Sequence, residues 1–167
     1  MTSFRLWQIG VVSLANGVVM KLTEDMLKGF AEEKIEFVKR SGLKVLDAKA
    51  GYVRCLMPAE GNGNHFGTMY AGAMFTLAEI PGGVMALACF EPGKYVPLLK
   101  NMSIKYLKPA KGDITFETLL AKDEINRIAS DAQENGKADF ILTGELKDSE
   151  GNVVAVTEGL YQVRSSI

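Results

Sequence analysis

Between Thr68 and about Phe90 the chain reads TMYAGAMFTLAEIPGGVMALACF, a run with almost no polar relief. It is too long for an ordinary strand, so it must be a helix, and its apolar residues are spread round most of the circumference. Such a helix cannot lie on a surface; it has to be covered on most sides. Pro81 has no N–H to give the Leu77 carbonyl, and together with Gly82 and Gly83 it predicts a kink. The rest of the chain must therefore supply a wrapping for this one element.

Strands are the wrapping on offer. A helix begins at the N-cap Thr23, with Glu24 and Asp25 at the positive end of its dipole. Leu27, Ala31, Ile35 and Val38 recur at helical spacing, and Gly42 closes it. A hairpin follows, turning at Gly51, with Leu46, Ala48 and Ala50 on one face of its first strand and Val53, Cys55 and Met57 on one face of its second. Residues 59–67, AEGNGNHFG, form a loop. After the long helix come a strand through Met102, Ile104 and Tyr106, a turn at residues 108–112, and a strand carrying Ile114, Phe116, Thr118 and Leu120. A short amphipathic helix through Ile125, Ile128, Ala129 and Ala132 ends at Gly136. Phe140, Leu142 and Leu146 mark the next strand, and residues 153–163 the last. One buried helix inserted after a hairpin and followed by antiparallel strands is an α+β design. Residues 1–22 read as an N-terminal arm or helix, and 23–167 as one domain.

Composition narrows the partners. The 167 residues carry 19 Lys plus Arg against 20 Asp plus Glu. That balance argues against nucleic acid or an anionic membrane, which need a basic surplus. Cys55 and Cys89 stand far apart with no CxxC, which fits a reducing cytoplasm better than a disulfide framework. The stretch 6–20 is fairly apolar behind Arg5 but contains Gln8 and Asn16 and lacks an A-x-A site, so we do not read it as a signal peptide. The lone histidine, His65, has no carboxylate cluster around it, so neither a metal nor a cofactor is expected; there is no G-x-S-x-G for a serine triad.

Three polar side chains interrupt the long helix: Tyr70, Thr76 and Glu79. A carboxylate in such a run is costly unless paired, and burial makes it a candidate base. It could equally cap the turn opened by Pro81 or pair with an arginine across an interface. The loop before the helix holds Asn62, Asn64 and His65, and the helix start holds Thr68, Ala71 and Gly72. Free N–H groups at a helix start can bind a carbonyl oxygen as charge develops on it. Gly72 lets a ligand approach that backbone, and Glu79 lies two turns further on roughly the same face.

The series Asn64-x5-Tyr70-Ala71-Gly72-x2-Phe75-x-Leu77-Ala78-Glu79 resembles the motif of hotdog-fold acyl-CoA thioesterases of the phenylacetate-pathway type, Asn-x5-His-Gly-Gly-x2-Phe-x-Leu-Ala-Asp. The segment Leu99 to Ala110 is similar to that family's long strand and its terminal turn. The resemblance implies a hotdog fold, a curved antiparallel sheet around a central helix. It further implies hydrolysis of an acyl-CoA or related thioester. Asn64 would orient the thioester or the water, the amides around Gly72 would form an oxyanion hole, and Glu79 would be base or nucleophile. His65, Thr68, Tyr70, Ala71, Thr76 and Lys105 are the substrate-binding candidates. The resemblance also implies a homodimer or higher even oligomer, with each site shared between chains. Tyr70, Ala71 and Glu79 replace the family's His, Gly and Asp.

Two other readings remain open. The fold also serves acyl-thioester binding without catalysis. His65 and Glu79 together are similar to the His and Glu of hotdog dehydratases, although that subfamily's glycine lies closer to the acid than Gly72 does and follows a Pro, where Ala71 stands here. Lys105, Lys108 and Lys111 could meet the phosphates of a CoA-type ligand or simply form a solvated rim.

Overall fold

In the computed structural model, which describes residues 21–166, the chain order is α1 (Glu24–Glu33), α2 (Glu36–Ser41), β1 (Lys44–Lys49), β2 (Tyr52–Met57), α3 (Ala71–Cys89), β3 (Tyr95–Tyr106), β4 (Ile114–Leu119), α4 (Lys122–Asn135), β5 (Lys137–Lys147) and β6 (Val153–Ser165). The strands form one six-stranded sheet in the order β1-β2-β4-β5-β6-β3, and neighbouring strands run antiparallel. The sheet curls round α3, which touches every strand. This is the arrangement that the resemblance implied.

Period-two alternation explains the inner face. Val53, Cys55 and Met57 of β2, Ile114 and Phe116 of β4, Phe140 and Leu142 of β5, and Tyr161 and Val163 of β6 are buried with Ala73, Leu77, Ala78 and Met85 of α3. By length and composition α3 could cross a bilayer; here the sheet takes the place of the lipid. Thr118, Thr157 and Gln162 are buried polar exceptions, and the Thr118 hydroxyl donates to the Thr143 carbonyl at 3.0 Å. Both cysteines are free. Cys55 is wholly buried, and burial pushes its thiol up to about 12. Cys89, on the last turn of α3, donates to the Met85 Sδ at 3.7 Å, and burial raises its thiol too.

Four local expectations need correction. The first helix breaks in two: Ile35 is extended (φ −103°, ψ 108°), which turns Val38 into the core and leaves Ile35 37% exposed. In β1 the register shifts between Val45 and Asp47. That bulge puts Val45 and Ala48 inward and leaves Leu46 42% exposed. The long helix starts at Ala71 rather than Thr68, because the Met69 amide donates to the Ala110 carbonyl and the Tyr70 amide to the Asn62 carbonyl. Tyr106, expected to share a face with Met102 and Ile104, is 45% exposed. The arm or helix expected over residues 1–22 falls almost wholly outside the described residues.

Close approach between β4 and β5 depends on Gly144, where an added Cβ would stand 2.3 Å from the Phe116 ring and 2.8 Å from the Glu117 carbonyl oxygen. The backbone oxygen cannot step aside. Gly144→Ala should cost about 1–3 kcal/mol, the usual penalty for overpacking. Thermal melting should then show a lower Tm, at roughly 2–4 °C per kcal/mol for a chain of this size.

Candidate active site

The loop between β2 and α3 is tied down by its asparagines. Asn62 Nδ2 donates to the carbonyls of Ser41 at 2.7 Å and Pro58 at 2.9 Å. Asn64 Nδ2 donates to the Thr68 hydroxyl at 2.9 Å and the Met69 carbonyl at 3.4 Å. Its Oδ1 accepts from the amides of Phe66 and Thr68 at 2.9 and 3.2 Å. An asparagine side chain has two N–H donors and two acceptor lone pairs, so Asn64 spends its whole capacity inside its own loop.

That loop delivers the start of α3. Tyr70, the N-cap, is extended and offers no side-chain cap. The Ala73 and Met74 amides bond back to the Tyr70 carbonyl, while the amides of Ala71 and Gly72 have no partner among the described residues. These are the orphan donors of a helix start, at the positive end of its dipole. Tyr106 from β3 clamps the same turn by donating to the Ala71 carbonyl at 2.9 Å. Burial, with a smaller contribution from Tyr70, raises the Tyr106 hydroxyl above its ordinary value. The Tyr70 ring lies along Gly72, where a Cβ would come within 2.4 Å of its Cε1 and would push the exposed ring aside.

Further along α3, Gly72, Phe75, Thr76, Glu79 and Gly83 are half-buried while the residues between them are buried. Their spacing marks a single stripe that the sheet leaves uncovered. Thr76 is turned inward on it, its hydroxyl donating to the Gly72 carbonyl at 2.9 Å. Glu79 has no hydrogen bond or ion pair to its carboxylate among the described residues. No arginine of the same chain meets it among the described residues. Burial alone raises its pKa above the ordinary 4.5, as desolvation does for a carboxylate without a cation.

Beside the helix start a cleft of about 360 Å³ is lined by Asn64, Thr68, Met69, Ala71, Met74, Tyr106, Leu107 and Lys108, with Pro109 and Ala110. The structure thus gathers Asn64, Thr68, Tyr70, Ala71 and Gly72 at one end of α3 and carries Thr76 and Glu79 away along it. His65 is exposed, its ring 3.9 Å from that of Phe66, and nothing joins it to Glu79. Lys105 is exposed on β3; Lys108 is the lysine that reaches the cleft. Sequence reasoning gave no role to Tyr106. Its alternation with core residues hid a side chain that faces the helix start.

The raised Glu79 pKa has a consequence for stability. Below pH 4.5 the carboxyl is protonated in both folded and unfolded chains and costs nothing. As pH rises through 4.5 and then through the folded value, the unfolded chain ionises first, and stability falls. Glu79→Gln should therefore melt above the wild type at neutral pH, and melting curves below pH 4.5 should coincide.

The comparisons agree with this architecture. Residues 23–161 match a family described as a domain of unknown function, DUF4442. A Pseudomonas aeruginosa protein of unknown function, PA5026, called a probable thioesterase, is 45% identical over 89% of this chain and 100% of its own, with a TM-score of 0.83. A Chlorobaculum tepidum protein of unknown function is 19% identical over 87% and 99%, TM-score 0.77. The Haemophilus influenzae thioesterase HI1161 is 16% identical over 89% and 96%, TM-score 0.68. No curated protein matches. The sheet wrapped on a central helix is the hotdog fold, and the chain belongs to the DUF4442 family.

Proposed function

We propose that the protein hydrolyses an acyl thioester, with an acyl-CoA as the substrate. The observation that carries this reading is the uncovered stripe of α3. It begins at the unpartnered amides of Ala71 and Gly72 and ends at a desolvated carboxylate with no cation beside it. The amides would polarise the thioester carbonyl and hold its oxygen as negative charge grows there. Glu79 would take a proton from water, which adds to the carbonyl carbon; the tetrahedral adduct then collapses and releases the thiol with that proton. A raised pKa brings the base closer to working pH, where proton transfer is most effective. The likeness to thioesterases in the comparisons supports the same chemistry.

One chain does not complete this arrangement. Gly72 and Glu79 are separated by ~10 Å along the helix axis at 1.5 Å per residue, too far for one carbonyl group to meet both. A second copy would close the gap, pairing the loop and helix start of one protomer with Glu79 of the partner subunit. Of the two sheet edges, β1 and β3, β3 is the longer at 12 residues against 6, and its Val96 and Leu98 are each 43% exposed. Unpaired edges of this length are otherwise guarded, and a two-fold axis would satisfy both copies at once. Pro97 lacks a donor, so pairing would run over residues 98–106. Lys105 would then stand near the entrance, with Lys108 at the cleft to meet phosphates.

Release of free thiol from a panel of acyl-CoAs tests the reaction. Wild-type protein should turn over, and Glu79→Gln should lower kcat on the order of 10²-fold while remaining folded. Binding without thiol release would identify a carrier module instead, and hydration of an enoyl thioester a dehydratase. Sedimentation should give a dimer or a larger even oligomer. Leu98→Lys should yield a monomer without activity.

A further inference from the structure

Glu79 stands two residues before Pro81, the place in the interior of α3 where the helix cannot complete its own hydrogen bonding. Pro81 is inside the helix, and having no N–H it leaves the Leu77 carbonyl without its intrahelical donor, while its ring crowds the preceding turn. A helix interrupted in this way tends to bend or move at the break. Looseness there would be transmitted to the residue two positions earlier, where the carboxylate is.

The sheet supplies a bond from outside at that point. Tyr161 of β6 donates its hydroxyl to the Glu79 carbonyl at 3.0 Å. Its ring is 2% exposed, stacked on Phe140 with centroids 5.6 Å apart. Position 82 has to be glycine for the ring to come so near, since a Cβ there would be 2.1 Å from Tyr161 Cε1. Position 159 is constrained likewise, with a Cβ 2.6 Å from Cε2 of the same ring. Pro81, Gly82, Gly159 and Tyr161 therefore explain one another. The first opens the ladder, the glycines make room, and the tyrosine closes the structure again.

We infer that Tyr161 is a positioning residue for Glu79, its hydroxyl pinning to the sheet the turn of α3 that carries the carboxylate. The inference rests on the reading of Glu79 as the base. No charged side chain among the described residues shifts Glu79, whose pKa is raised by burial alone. Tyr161 is the titratable group that feels it: burial, then the Glu79 charge, drives the phenol far above its ordinary value. The hydroxyl thus keeps its proton and remains a donor throughout the working pH range. A donor that could ionise would release the helix as pH rose.

Tyr161→Phe removes the hydroxyl and leaves the ring that fills the core. In the thiol-release assay kcat should fall about 10–100-fold, the scale for a displaced catalytic group, with KM for the acyl-CoA nearly unchanged. Carbon-13 NMR of the Glu79 carboxyl gives a readout independent of turnover. Its titration midpoint should lie above 4.5 in the wild type and move down toward that value in the variant, as water reaches a loosened turn. Adding Pro81→Ala to Tyr161→Phe gives Leu77 its donor back and should recover part of both losses; no recovery would break the link to Pro81. If Tyr161→Phe fails to fold, Gly82→Ala offers a second route, displacing the ring while favouring helix. It should show the same fall in kcat and the same shift. A folded variant of either kind with wild-type kcat and an unmoved Glu79 titration would overturn the inference. Wild-type protein that releases no thiol would sink the thioesterase reading, and the carboxyl titration would still report whether Tyr161 controls Glu79.

Discussion

Burial of α3 is the constraint from which the other elements follow. A nineteen-residue helix whose apolar side chains go round most of its circumference is stabilised by surrounding it, and one flat layer covers one side. The sheet solves this by curling. Its curvature is visible in where side chains are missing: Gly144 lets β5 close on Phe116, and Gly159 lets β6 carry the Tyr161 ring inward. Hydrophobic transfer contributes ~25 cal/mol for each Å² of apolar surface removed from water, so every strand that touches α3 gains by bending toward it.

The one face left uncovered is where stability and chemistry diverge. For folding alone, an apolar or amide side chain would serve better than Glu79, because the folded chain must hold that carboxylate partly out of water with no cation to offset the cost. The same environment makes it a stronger base. Functional sites commonly carry groups that the fold would not choose. In this protein the mismatch is concentrated on a single side chain, which shares its stripe with the Phe75 ring, the Thr76 hydroxyl and two glycines.

Much of the fold was legible in the sequence where one periodicity ruled. The alternation in β2 and β4 put Val53, Cys55, Met57, Ile114, Phe116, Thr118 and Leu120 inward, as the structure has them. Reading failed where a local device broke the period. The bulge between Val45 and Asp47 put Val45 inward in place of Leu46 while keeping Ala48 there, and the extended Ile35 split one helix into two. Both changes turn a residue into the core by a shift that pattern alone does not encode. Of the site, the carboxylate and the glycine at the helix start could be named from their spacing. The saturation of Asn64 by its own loop, and the contact of Tyr161 with a helix far away in sequence, depend on long-range geometry. Neither leaves a local signal.

The state of the two cysteines has a practical side. A thiol reacts with disulfide reagents, alkylating agents and peroxides as its thiolate, and burial keeps both Cys55 and Cys89 protonated. Cys55 has no surface at all, and Cys89 points its sulfur at a thioether. In the folded chain Cys55 is thus nearly silent toward thiol-trapping dyes, and the half-buried Cys89 is the thiol they can reach. Sudden labelling of Cys55 would instead signal that the sheet had come off its helix, which gives the molecule an internal gauge of its own unfolding.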